Sequence, residues 1–246
     1  MPNPSFRSSS NGSGSLSNFS VNKPAGTIDG DFLVAFQASR AETPSPPSGW
    51  SLVGTVGAYN GGIGSLQGYY KVASGEPASY TFNCSIGDSL AYIVTIQNGS
   101  AKDSSAATST TGTSTAHAGG ATASQASDIV LCAFAAAVNA AAFSPDGGLT
   151  DLGTITLSSD NSLDVAYKTQ SGSGASGTFN APFSNGPADN AGVIVLVRGS
   201  VTSTGGRRGS VLGSGRKWGK FEHHEKREII EICLPSIYPF PLAKSA

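Results

Sequence analysis

Short apolar runs alternate along this chain with clusters of Gly, Pro, Ser, Asn and Asp, and the runs are too short for packed helices. DFLVAF from Asp31, DIVLCAF from Asp128, YIVTI from Tyr92 and VIVLV from Val193 carry almost no polar interruption. All four predict strands, and the unbroken YIVTI and VIVLV runs predict strands covered on both faces. SLQGYYKV, residues 65–72, alternates imperfectly and predicts a strand with one wetter face. Between the runs stand Pro24-Ala25-Gly26, Asp29-Gly30, Pro46-Pro47-Ser48-Gly49, Asn60-Gly61-Gly62 and Pro145-Asp146-Gly147-Gly148. Such clusters break regular structure in specific turns. Turn clusters at roughly ten-residue intervals are the rhythm of an antiparallel sandwich or jelly roll.

The pattern occurs twice. Setting Asp31 against Asp128 brings DFLVAF beside DIVLCAF, and the stretch Gly49 to Val56 then faces Gly148 to Ile155. Tyr70-Lys71 faces Tyr167-Lys168, and Thr81-Phe82-Asn83 faces Thr178-Phe179-Asn180. AYIVTIQNGS, ending at Ser100, closes the first copy as GVIVLVRGS, ending at Ser200, closes the second. An offset that drifts only from 97 to 100 describes one unit duplicated with loop insertions. The expected fold is therefore an all-β antiparallel sandwich or jelly roll over residues 17–200, from halves at about 17–100 and 114–200 with five strands each. No Pro-rich or charged linker separates the halves, which favours one compact sandwich over two tandem domains. Residues 1–16 read as a flexible Ser/Gly/Asn arm with too little apolar surface to offset its ordering entropy, and residues 105–120 as a Ser/Thr/Ala crossover.

The succession KPAGTIDGDFLVAF, PPSGWSLVGT, YYKVASGEPASYTF and a Val/Ile strand resembles a β-sandwich module of tailed bacteriophage and prophage structural proteins. The resemblance spans about residues 17–200 and rests on turn-and-strand motifs. It implies a virion component, non-enzymatic and without cofactor, as a head-surface decoration, fibre or tail part. The partners it implies are other capsid or tail proteins and copies of the same chain, with a trimer as a common state of such parts. Residues 201–246 lie outside the resemblance.

Composition adds two points. Charged residues are 13% of the chain, about half the usual share, so the surface is neutral and polar. The net charge of −1 conceals an acidic body, with seven Lys/Arg against twelve Asp/Glu up to Ser200, and a basic tail with eight against four. Such asymmetry marks a tail that touches a partner. No positively charged and apolar start and no run of about 18 apolar residues appears, so neither export by a signal peptide nor a membrane span is expected. Cys84, Cys132 and Cys233 are too few and too far apart for a disulfide framework, and the first two read as buried apolar residues.

Candidate chemistry is thin. His117 lies in the crossover with no GxSxG elbow in the chain and reads as an exposed loop histidine. His223 and His224 are adjacent, where a helical metal pair needs spacing four apart, and GSVLGSGRK from Gly209 lacks the GxxxxGK[ST] spacing of a phosphate loop. No catalytic, metal or cofactor residue is assigned. Most of the aromatic residues read as core. Tyr59, amid Gly and Asn, and Trp50, behind the Pro46 turn, are the candidate surface contacts for an alternative reading as a host-adhesion or glycan-binding module. A glycan-degrading enzyme is the weaker alternative.

The tail is unrepeated. KWGKFEHHEKREIIEICL, from Lys217, predicts a short helix over about residues 220–233, with Glu222 and Lys226 four apart and Pro235 as the stop. PSIYPFPLAKSA follows as an extended apolar peptide. Trp218, Phe221, Ile229, Ile232, Ile237, Tyr238 and Phe240 are the residues expected to anchor it on a partner. Arg207, Arg208, Arg216, Lys217 and Lys220 precede them, but without aromatic interleaving or a recognition fold they do not point to nucleic acid.

Overall fold

The computed structural model describes residues 2–139, 142–157 and 160–199, which fall within one compact unit. The tail helix, the Pro-rich peptide and the anchoring residues Trp218 to Phe240 lie outside the described residues. The first half contains β1 (Ser5–Ser15), β2 (Phe19–Asn22), β3 (Phe32–Ser39), β4 (Ser51–Tyr59), β5 (Gly64–Val72), β6 (Ser79–Phe82) and β7 (Asp88–Gln97). The second contains β8 (Gly99–Thr113), β9 (Thr115–Ala118), β10 (Thr122–Ala123), β11 (Ile129–Ala136), β12 (Thr150–Leu157), β13 (Asn161–Thr169), β14 (Gly174–Ala175), β15 (Phe179–Pro182) and β16 (Ala188–Gly199). Every strand pair among the described residues is antiparallel.

The duplication holds in space. One sheet has the order β1-β7-β3-β5-β4, and the other repeats it as β8-β16-β11-β13-β12. Each half adds a two-stranded ribbon, β2-β6 or β9-β15, and the second half also has the small β10-β14 pair. Each copy thus repeats seven strands where five were expected. The two strands missed at the start of each copy are β1 and β2, and β8 and β9.

The flexible arm of residues 1–16 is corrected: residues 5–15 form the edge strand β1, paired with β7 from Ser5 opposite Gln97 to Ser15 opposite Asp88. The crossover is corrected in the same way, since most of it is β8, paired with β16. Both strands are held by main-chain hydrogen bonds, which need no apolar side chain. Their small residues are a packing requirement at one position in particular. A Cβ on Gly14 would lie 2.7 Å from Cδ1 of Phe19, so only glycine lets β1 lie over the ribbon.

The layers explain the unbroken runs. Inward-facing Phe32, Val34 and Phe36 of β3 and Tyr92, Val94 and Ile96 of β7 share one core with Ile129, Leu131, Val193, Val195 and Val197 of the second half. The outward faces are covered too. Leu33, Ala35 and Ile93 pack under the first ribbon with Phe19, Val21, Tyr80, Phe82 and Cys84. Val130, Cys132, Phe134 and Ile194 pack under the second with Phe143, Phe179 and Phe183. The order is ribbon, sheet, sheet, ribbon, so successive residues of a central strand are buried on opposite faces. The halves share a single central core, and Cys84 and Cys132 are buried free thiols.

Strand pairing also corrects three sequence correspondences: Val56 is opposite Gln67 as Thr154 is opposite Asp164, so Gly57 rather than Val56 matches Ile155. Phe32 is opposite Ile96 and Ile129 is opposite Val197, so Ile96 matches Val197, and Asn98 is a one-residue insertion with φ of 60°. Lys71 stands over the Tyr80 ring as Lys168 stands over the Phe179 ring, so Phe179 matches Tyr80 rather than Phe82.

Candidate functional site

Tyr59, expected at the surface, is only 2% exposed. The loop after it folds back, and its ring enters the shared core. Its hydroxyl donates to Oδ1 of Asn161 at 3.0 Å, while Nδ2 of Asn161 donates to the carbonyls of Asp88 (3.1 Å) and Ala38 (3.5 Å). A second-half side chain is thereby bonded to three groups of the first half, and burial raises the Tyr59 pKa far above the ordinary phenol range.

Further polar bonds clasp the edge strands. Tyr92 donates its hydroxyl to the carbonyl of Gly153 (2.6 Å) in the bulge of β12, and Lys102 donates to the carbonyl of Val53 (3.1 Å) in the bulge of β4. Gly54 and Gly153, the bulge glycines, have matching φ values of 98° and 100°. Asp189 accepts from the main-chain N–H of Gly61, and the Phe6 ring stacks on Tyr167 with centroids 4.4 Å apart.

Two acid pairs belong to the second half. Asp128 is fully buried, and burial together with its neighbour Asp103 raises its pKa to about 7. Asp103 is desolvated as well, but hydrogen bonds from Ser124 and from the proton of Asp128, with Arg198 nearby, hold it below the usual carboxylate range. Asp164 is also fully buried, and burial followed by repulsion from Asp151 raises it to about 7, while the Thr154 hydroxyl donates to its Oδ1 at 3.0 Å. Two carboxyls brought together in this way share a proton rather than ionise together. Asp128 and Asp164 are buried between strands, which makes them part of the framework, while Asp103 is half-buried and Asp151 exposed.

The outer surface of the first half carries a different cluster. Trp50, the other expected surface contact, is 6% exposed and packs edge-on against Tyr80, with centroids 5.2 Å apart. Burial on the outward side of β5 is the physical reason: Trp50 fills the corner between sheet and ribbon. Glu76 accepts from Lys71 (2.8 Å) and from the Tyr80 hydroxyl (2.7 Å). Burial opposes its ionisation, yet these bonds and one from the Ser74 N–H hold the carboxyl below its ordinary value. Beside this cluster is a groove of about 170 Å³ lined by Pro47, Ser48, Pro77, Ser79, Tyr80 and Thr81.

His117, expected in an exposed loop, stands half-buried on β9 and donates from Nδ1 to Oδ1 of Asn180 at 2.6 Å. Asn180 in turn donates from Nδ2 to Asp146 at 2.8 Å. The hydroxyl of Thr108 goes to the His117 carbonyl, so the cluster ties β8, β9 and β15 together. Sequence reasoning missed it because Asn180 and Asp146 meet His117 only through the ribbon. Comparison of the chain with family models, with curated proteins and with solved structures finds no match in any of the three.

Proposed function

We propose that this chain is a non-enzymatic structural component of a bacteriophage particle, displayed as a head-surface decoration or fibre protein and held there through residues 201–246. The observation that carries the reading is the joined pair of halves: two copies of one unit share a central core and are clasped by Tyr59, Asn161, Tyr92 and Lys102. A block of this kind suits a display element with few charges, consistent with the turn-and-strand resemblance to virion modules. Other virion proteins and further copies of the chain are its partners, and copy number multiplies weak contacts into avidity. A host-adhesion role is favoured by one feature, the groove beside Tyr80.

Labelled antibody against the body, imaged on intact particles, should decorate the head surface or a fibre; particles that contain no label sink the proposal. A chain ending at Ser200 should be absent from particles that carry the full-length chain. Normal incorporation of the shortened chain removes the anchoring role of the tail.

A further inference from the structure

The duplicated framework sets a buried aspartate just before one central strand of each half, Asp31 before β3 and Asp128 before β11. In the first half Arg7, in the bulge of β1, has Nε 3.0 Å from Oδ2 of Asp31 and donates from Nη2 to Oδ1 at 3.1 Å. The Ile28 N–H adds a bond of 3.0 Å to Oδ2. One buried carboxylate is thus met by a positive charge and by main-chain and side-chain donors.

In the second half the residue in the matching bulge of β8 is Asp103, so a second acid stands where the guanidinium stands. Asp128 is 0% exposed, and neither of its side-chain oxygens has a hydrogen-bond donor. Gln125, at the position of Ile28, donates its side-chain amide to the Gly199 carbonyl at 3.4 Å instead. Arg198 brings Nη1 to 3.9 Å from Oδ1 of Asp103, with its own side chain 41% exposed. A guanidinium so far into solvent offsets little of the charge of two acids and bonds neither oxygen of Asp128. The Ser124 N–H holds Oδ2 of Asp103 in place.

We propose that Asp103 and Asp128 form a binding site for a hard divalent cation, which takes the place that the Arg7 guanidinium holds in the first half. Two observations of different kinds lead there. The sister half shows a positive charge at this point of the framework, and Asp128 is a buried carboxylate with two unbonded oxygens, turned towards Asp103. Carboxylate oxygens select hard cations such as calcium or magnesium, whose other positions are filled by main-chain carbonyls and water. The ion displaces the proton that the two acids otherwise share, which leaves to solvent. Half-buried Asp103 gives the ion its way in. Bound there, it ties β8 to the start of β11 across β16, as Arg7 ties β1 to the start of β3 across β7. The inference is independent of the reading of the chain as a particle component.

The test uses the full chain at about pH 8, where the shared proton is most easily displaced. The chain is stripped with a chelator and titrated with calcium chloride or magnesium chloride at constant ionic strength, and backbone amide resonances are followed. The amides of Asp103, Ser124 and Asp128 should shift saturably with at least one of the two ions, with a Kd of roughly 0.1–1 mM, the range of weak oxygen-ligand sites. The urea midpoint should rise with the same ion and return when chelator is added. Asp103→Arg, which copies the first half, should abolish both responses, and Asp128→Asn should weaken binding by about tenfold or more. Asp103→Asn serves if Asp103→Arg does not fold. Asp151→Asn, at the other acid pair, should leave both responses unchanged. Amides unmoved by about 20 mM of either ion overturn the proposal, as does undiminished binding by a folded Asp103 variant. So does a response that moves the Asp151 and Asp164 amides in place of these.

Discussion

In the first half the buried Asp31 is met by Arg7, with Nε 3.0 Å from Oδ2 and a second bond of 3.1 Å to Oδ1. In the second half the matching Asp128 is met by Asp103, which occupies the bulge of β8 as Arg7 occupies the bulge of β1. The contrast recurs one strand away. Gln67 of β5 accepts from the Tyr69 hydroxyl, whereas Asp164 of β13, its counterpart, faces Asp151. A single backbone plan thus tolerates an ion pair, an amide or a shared proton at the same places. The halves differ also at the joint. Gly57 of β4, opposite Leu66, matches Ile155 of β12, opposite Leu163. The glycine lets β4 lie close over the second sheet: a Cβ there would stand 2.8 Å from Cβ of Ala191 and 3.0 Å from the Thr108 carbonyl.

Making the halves more alike at Gly57 should have the largest effect. Gly57→Ile, which copies the second-half residue, forces backbone and side chain apart and should cost about 3 kcal/mol or more, the upper end of overpacking. Urea unfolding reads it, and a midpoint within error of the parent would remove the claim that the two sheets pack asymmetrically. Asn161→Ala comes next. It leaves the Tyr59 hydroxyl and two carbonyls unanswered in the core and should cost about 2–3 kcal/mol, with a smaller loss if the same change is made in a Tyr59→Phe background.

The acid pairs should separate the halves by pH. A carboxyl raised to about 7 binds its proton in the folded chain and releases it near 4 in the unfolded one, so between those values the folded state holds more protons and stability falls as pH rises. The urea midpoint should therefore be higher at about pH 5 than at about pH 8. Asp103→Asn keeps an acceptor for Ser124 and removes the repulsion on Asp128, so the difference should shrink, leaving the share of Asp164 and the part that burial alone gives Asp128. A profile unchanged by the substitution would locate the proton elsewhere. Smallest is Tyr92→Phe, which removes one clasp on β12 and should cost about 1 kcal/mol. An unchanged unfolding midpoint would show that the clasp adds nothing to the joint.

Much of the architecture was legible because it depends on local rules. The paired DFLVAF and DIVLCAF runs became β3 and β11, the YYK and AYK segments became the C-terminal ends of β5 and β13, and Cys84 and Cys132 are buried as read. Strands β1 and β8 were not legible, since edge strands of Ser, Thr, Gly and Ala are held by main-chain bonds that leave no periodic mark. The candidate contacts Tyr59 and Trp50 were misplaced for a related reason. Turn composition around a residue reports the turn and not the layer its side chain enters.

Local sequence pattern determined the five apolar strands of each half, the turns and the duplication, because apolar runs and Gly/Pro clusters act over a few residues; the first two strands of each half left no such mark. Tertiary structure alone decided that the halves face each other across one core and that Asp31 meets Arg7 while Asp128 meets Asp103. Those outcomes depend on which groups arrive from other parts of the chain, 24 residues away for Arg7 and Asp31 and 102 for Tyr59 and Asn161. Pairing at that distance follows from layer packing, which no short stretch of chain encodes.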